Sequence, residues 1–398
     1  MQLQYSKLLT RAKTVSLYGF GQSIPMIAQL IISLLIIKKH STALWGEYVT
    51  LLLWVNLIVI FSYFGNKNYL LKQFSEQPGK IYTTWLSNFS TRFLVFFLIG
   101  IFVFFIPLFE PYRLLILSWI FLLFYNQSFE VLILYQKDFK FNFITELIRN
   151  SSVVGVLLFF DGMLQLDQFL YIIIGGLLIK AIFYSVFYFK TLQSTKITLD
   201  SQSLIASIPF LIPMVLGTLR TKIDSYYGTI YFTKEDLSQY QIFISLIAIL
   251  QLGAAYMINP FIKIFYRISK KTRNAIEKQF LFLGIIIGAI ATTVIYVIIT
   301  YIYEFTFSPT SYLLAYLFII TLFVHLLLIN EFYKNDKQTL VAIIIGVTAL
   351  VQIILGYFTI DTYQSIGALS IKMIGQWIVV LALLYFRKEF LKPSNSSV

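Results

Sequence analysis

Cysteine is absent from the 398 residues, and histidine nearly so, with only His40 and His325, far apart in the chain. Neither a disulfide frame nor a thiolate metal or redox centre is available, and two remote histidines leave little material for a histidine-based metal site. Charge is scarce as well: charged residues make up 12% of the chain, against about 25% in a soluble globular domain. Apolar residues take their place, with 58% hydrophobic, 18% aromatic and a mean hydropathy of +0.80. So little polar surface cannot cover a water-facing fold, and the composition is that of a membrane protein. Acids are the scarcer sign, 18 against 31 Lys and Arg, for a formal net charge of +13. A basic balance is normally matched by nucleic acid, anionic lipid or an acidic ligand, so its location decides its meaning.

Soluble-enzyme signatures are also missing: there is no Walker A loop, dinucleotide fingerprint, Gly-x-Ser-x-Gly or His-Glu-x-x-His. The longest polar stretches, 67–80 and 265–278, are too short for a soluble catalytic domain. Transport without a nucleotide-binding domain is the class that remains, with no enzyme activity and no cofactor expected. The first residues, 1–13, are polar and basic and precede an apolar run about as long as a span, so a cleaved signal peptide is not expected.

A spanning helix needs about 20 mainly apolar residues. About twelve such runs are present, beginning with 14–37 and 44–65, passing through 142–160, 166–189 and 204–232, and ending with 338–358 and 362–386. The expectation is an all-α polytopic membrane protein. Lys and Arg collect in cytoplasmic loops; with both termini inside, 23 of the 31 bases, among them Arg92, Arg149, Arg273 and Arg387, fall in inner loops. Four, Lys38, Lys39, Arg113 and Lys234, fall outside, and four, Lys180, Arg220, Lys222 and Lys372, lie within spans. Most of the positive charge is therefore topology. The basic run 263–278 reads as an orientation and anionic-lipid signal, and nucleic-acid binding is not expected.

One segment repeats. Tyr171 to Lys180 opens the sixth span and Tyr363 to Lys372 the twelfth, with Tyr, Ile, Gly, Leu, Ile and Lys coinciding at an offset of 192 residues. The same offset places Tyr48 on Tyr240. A six-plus-six duplication explains this economically and predicts two parallel halves, 1–196 and 197–398.

Ionisable groups within spans cost at least about 2.5–3.5 kcal/mol on insertion scales, so they face a bundle interior or a wet cavity. Lys180 and Lys372 either hold a ligand with two or more negative charges, such as a pyrophosphate, or pair within their own halves. The seventh span carries Pro209, Pro213 and Gly217 at intervals of four, with Arg220 and Asp224 continuing the stripe. Proline removes a backbone donor, so a bent or broken helix is expected there and at Pro25 in the first span. Arg220 and Asp224 at i,i+4 have the spacing of an ion pair. That leaves Lys222, about 200° round the helix, without a partner on it, so Arg220 or Lys222 contacts a ligand, or the cluster is structural. Glu130 is the only other acid inside a span, either a proton or sodium coupling site or a counter-ion to Lys180. His325 reads most simply as a packing histidine.

Several segments resemble a known family. They are Leu17-Tyr18-Gly19-Phe20-Gly21, Trp45-Gly46-Glu47-Tyr48, Phe64-Gly65 followed by Lys72, and Tyr135 to Lys140 in the first half. In the second they are Ile208 to Pro213 with Asp224, Gln239-Tyr240, and Ile366-Gly367-Ala368. Together they resemble the polysaccharide-type, Wzx-like O-antigen and capsule flippases of the MOP (multidrug, oligosaccharidyl-lipid, polysaccharide) exporter superfamily. The chain is short for that family, so its loops must be minimal. The resemblance implies two six-helix, MATE-like lobes around a cation-lined cavity in a bacterial plasma membrane. It implies an undecaprenyl-pyrophosphate-linked oligosaccharide as substrate, its tail left among the bilayer lipids, and polymerase or glycosyltransferase partners. Arg220 and Lys222 fall where such flippases place cavity charges, Asp224 joins them as a binding or coupling group, and Lys180 and Lys372 rest on the repeat. Coupling would be to Na⁺, H⁺ or the membrane potential. A Na⁺- or H⁺-coupled small-molecule exporter is the alternative on the same fold. A polysaccharide polymerase is disfavoured by outer loops of about a dozen residues or fewer.

Overall fold

The computed structural model describes residues 2–193, 199–258, 270–335 and 337–390. The lobe boundary expected at 196/197, and residues 263–269 of the basic run, lie outside them. Among the described residues every regular element is helical and no strand occurs. The long helices are α1 (Gln2–Lys39), α2 (Thr42–Tyr63), α4 (Ile81–Val103), α5 (Arg113–Gln136), α6 (Phe139–Phe159) and α7 (Leu166–Gln193), with the short α3 (Asn66–Glu76) between α2 and α4. There follow α8 (Ser201–Tyr231), α9 (Lys234–Ile258), α10 (Lys270–Val297), α11 (Pro309–Lys334) and α12 (Gln338–Phe390). A bilayer cannot hydrate backbone groups, and continuous helices satisfy them internally.

Among the described residues ten helices are long and apolar enough to cross a membrane. The expected twelve spans map onto them with two adjustments. The fifth is α6, less apolar because it carries Lys140, Glu146 and Arg149, and the last two are a single helix, α12, kinked where Gln364 takes φ 48°, ψ −129°. Apolar side chains such as Phe97, Phe102, Phe105 and Phe159 are exposed, as on a lipid-facing surface. The protein is a multi-pass membrane protein.

The chain forms two compact units, Met1–Val215 and Leu216–Val398. In the first, Tyr69, Phe74, Trp85, Phe129, Tyr184 and Tyr188 form an aromatic core. The Trp45–Tyr48 motif is structural there: Tyr48 stacks on Trp119 with centroids 5.4 Å apart and meets Phe169 at 4.8 Å, tying α2 to α5 and α7. The Phe64-Gly65 motif ends α2, both residues having positive φ (53° and 68°). A Cβ on Gly65 would lie 2.7 Å from the Leu211 backbone nitrogen, so glycine is needed both for the turn and for the close approach of α8. In the second unit, Leu328, Phe332, Val341, Val379 and Leu383 pack α11 against both arms of α12.

Two expectations are corrected. The helix breaks at Pro25, Pro209, Pro213 and Gly217 do not occur: α1 and α8 run helical through them. A proline frees only the carbonyl four residues back, which a membrane helix tolerates. Charges assigned to inner loops are also helical: Arg92 on α4 and Glu146 on α6 are buried, at 0% and 5% exposure. Both lie within apolar runs, and their charge alone sets them in loops. Arg273 in the first turn of α10, and Glu331 and Arg387 in the last turns of α11 and α12, are helical too and form a network with Glu277: Arg273 Nη2 lies 2.6 Å from Glu331 Oε1, Arg387 Nε 3.0 Å from Glu331 Oε2, and Arg387 Nη1 2.7 Å from Glu277 Oε2.

Candidate functional site

Three cations of the second unit, Arg220, Lys222 and Lys372, converge on one cavity of about 240 Å³. Arg220 and Lys222 of α8, Gln251 of α9 and Gln352, Lys372 and Gln376 of α12 supply its polar lining, with Phe318 and Ile247 among the apolar walls. Arg220 and Lys222 both reach it despite standing 200° apart, as long side chains can. No lining residue is acidic.

The pairing is not the one the helical spacing predicts. Arg220 makes no ion pair with Asp224 among the described residues; its Nη1 donates to Gln376 Oε1 at 3.2 Å. Asp224, 1% exposed, is taken by Lys372 from α12, whose Nζ lies 3.1 Å from Oδ1 and also donates to the Thr221 carbonyl at 2.7 Å. The Tyr240 hydroxyl donates to Asp224 Oδ2 at 2.5 Å. Lys222 has no hydrogen-bond or ion-pair partner among the described residues. With Lys372 neutralised by Asp224, the cavity retains two uncompensated cations.

The amides complete it. Gln352 Nε2 donates to the Ile371 carbonyl at 3.2 Å, while Gln352 Oε1 and Gln376 Nε2 are buried without partners. A Cβ on Gly375 would lie 2.1 Å from Gln352 Nε2, so only glycine lets this amide cross to the other arm of α12. His325, on α11, is buried, with Nε2 unpartnered. The glutamines were missed by sequence reading; Lys372 and Gln376, four apart on one face, were the available signal.

Lys180 has a different setting. Its Nζ donates to Glu146 Oε1 at 2.5 Å and stands 3.8 Å from Glu130 Oε1, within the first unit. Glu146 also accepts from Arg149 Nη1 at 3.2 Å. Two cations and two carboxylates balance. Arg92, also missed, has no carboxylate partner among the described residues. Its Nε donates to Asn88 Oδ1 at 2.7 Å and its Nη1 to the Tyr63 carbonyl at 3.4 Å, and the guanidinium lies over the rings of Tyr63 and Phe124. Tyr63 closes α2, so the guanidinium meets the negative end of that helix. Pro25, Pro209, Pro213 and Gly217 line neither group.

No family model matches the sequence, and no curated protein matches it. Solved structures do. The lipid II flippase MurJ, inward closed, aligns at TM-score 0.71 and 15% identity over 94% of this chain and 87% of that one. An inward-facing multidrug resistance MATE family transporter of the MOP superfamily aligns at 0.70 and 11% identity over 95% and 99%. An outward-facing one aligns at 0.61 and 12% over 95% and 94%. The fold is the one shared by these MurJ and MATE structures. That likeness accounts for the all-helical, multi-pass architecture; at this identity it leaves the ligand to the cavity's own chemistry.

Proposed function

We propose that this protein is a flippase that moves an undecaprenyl-pyrophosphate-linked oligosaccharide, an O-antigen, capsule or teichoic-type unit, across a bacterial plasma membrane by alternating access. The observation carrying this is the cavity holding Arg220 and Lys222 without a carboxylate for either. Two half-buried cations within a span, without a carboxylate for either, are costly unless an anion joins them. A pyrophosphate offers two negative groups at short spacing, and Arg220, Lys222 and the amides of Gln352 and Gln376 are donors suited to it. Lys372 is a third cation, shared between Asp224 and the ligand. Lys180, committed to Glu146, is left out of the binding set. A polymerase or glycosyltransferase would be the natural partner.

The test is Arg220→Gln with Lys222→Gln. Surface-polysaccharide assembly is expected to fail at normal protein level, and the purified variant to lose undecaprenyl pyrophosphate binding at least tenfold. Unimpaired assembly would overturn the reading. The rival, a Na⁺- or H⁺-coupled small-molecule exporter, draws support from the MATE likeness and from the two in-span acids. It predicts drug efflux that Glu130→Gln with Asp224→Asn abolishes.

A further inference from the structure

A second polar crevice, of about 380 Å³, lies in the first unit among the turn after α3, the start of α4 and the start of α8. It falls within the range of small-molecule pockets, about 300–1,000 Å³. Its lining includes the phenol of Tyr69, the amides of Gln73 and Asn88, the hydroxyls of Thr84 and Ser203, and the carboxylate of Asp200. Among the described residues no Lys or Arg lines it. An anionic headgroup would find no counter-charge and one opposing carboxylate. A metal ion would find a single acid.

The polar groups are held in place. Asn88, 1% exposed, accepts from Arg92 Nε through Oδ1, which fixes the orientation of its amide and leaves Nδ2 a buried donor without a partner. Asp200 Oδ1 caps α8 by accepting from the backbone nitrogens of Gln202 and Ser203, at 3.1 and 3.3 Å. Thr91 Oγ1 accepts from the Asp200 nitrogen at 2.9 Å, pinning the start of α8 to α4. Tyr69 is fixed by Phe210, with ring centroids 6.5 Å apart.

A fixed amide, further amide and hydroxyl groups and one carboxylate beside an aromatic ring, with no cation among the described residues, suit a neutral polyol whose hydroxyls each donate and accept. The geometry points to a carbohydrate subsite here, taking a neutral hexose-type sugar residue. It deepens the flippase reading by giving the glycan a place apart from the cavity of the second unit, and rests on that reading for the identity of the ligand in the cell.

The test uses the full-length protein in nanodiscs and saturation-transfer difference NMR. The probes are methyl β-glucoside, methyl N-acetyl-β-glucosaminide and glucuronate. Transfer to at least one neutral glycoside is expected, with at least fivefold less in Gln73→Ala with Thr84→Val and no change in Arg220→Gln with Lys222→Gln. No transfer from either neutral glycoside, equal transfer in the crevice variant, or strongest transfer from glucuronate would each overturn it. Undecaprenyl pyrophosphate binding, measured on the same samples, separates the two sites: loss of that binding in the Arg220/Lys222 variant with sugar transfer intact sinks neither, whereas the crevice can fail while pyrophosphate binding stands.

Discussion

Lys372 reaches from α12 to Asp224 on α8, Nζ lying 3.1 Å from Oδ1 and 3.2 Å from Oδ2, with the Tyr240 hydroxyl on the same carboxylate. Its repeat counterpart, Lys180, pairs instead with Glu146 on α6. Asp224 and Glu146 do not correspond at the 192-residue offset, so the two lysines share a position in the sequence repeat but not a circuit. In the second unit the acid belongs to the helix that lines the cavity. In the first it closes a balanced network.

Breaking the Asp224–Lys372 pair from one side leaves a buried charge alone, which costs about 3–5 kcal/mol, whereas replacing both partners by apolar groups is often neutral. Asp224→Asn and Lys372→Met are each expected to lower the thermal midpoint of the purified protein strongly. The double variant Asp224→Leu with Lys372→Met is expected to recover most of the loss. Additive losses would mean that the pair is not coupled as the distances indicate.

The spans were legible because the bilayer demands about 20 apolar residues in a row, and that demand is local. Partner choice is not local. Helical spacing put Arg220 beside Asp224, but the carboxylate faces α12 and a lysine 148 residues away in sequence. Gln352, on the first arm of α12, carries no signal in an apolar run, and Gln376, on the second, carries only its spacing of four from Lys372. Arg92 and Glu146 stand within apolar runs, but their charge sets them in the loops, because one-dimensional hydropathy carries no sign that a neighbouring helix buries them.

Arg92 illustrates a charge that a shorter substitute cannot replace. Its donors go in different directions, to Asn88 Oδ1, the Tyr63 carbonyl and, at 3.5 Å, Ser128 Oγ. An ammonium has no planar fork to span them. Arg92→Lys is expected to cost about 2–3 kcal/mol, the scale of buried polar groups left unsatisfied. Thermal unfolding in detergent checks this, and a midpoint equal to the wild type's would show that charge alone suffices.

Gly65 meets a methyl group with two obstacles, one in its dihedrals and one in its neighbours. Its φ of 68° is unfavourable for any residue with a Cβ, and that atom would stand 2.7 Å from the Leu211 nitrogen and 2.8 Å from the Phe210 carbonyl carbon. Both neighbours are backbone, so α8 itself would have to shift. Gly65→Ala is expected to cost about 1–3 kcal/mol or more, whereas Gly155→Ala, inside α6 where a Cβ meets nothing within 4 Å, is expected to gain up to about 1 kcal/mol. The paired comparison of folded yield and thermal midpoint is the check, and equal values would contradict the packing.

Gln364 predicts the opposite sign. At φ 48° and ψ −129° it occupies backbone space that side chains rarely adopt, a strain of about 1–3 kcal/mol. Its side chain offsets a little of this by donating from Nε2 to the Asp361 carbonyl at 3.0 Å, at an exposed site where such a bond contributes little. Three residues on, Gly367 lies so close to the preceding arm that a Cβ would stand 2.6 Å from the Thr359 carbonyl oxygen, which holds the kink in place whatever residue occupies 364. Gln364→Gly therefore relieves strain without removing the constraint that sets the bend. It is expected to raise the thermal midpoint, with a gain of about 1 kcal/mol after the entropy of the added glycine. A lowered midpoint would mean that the Gln364 side chain, rather than the Gly367 contact, holds the two arms of α12 at their angle.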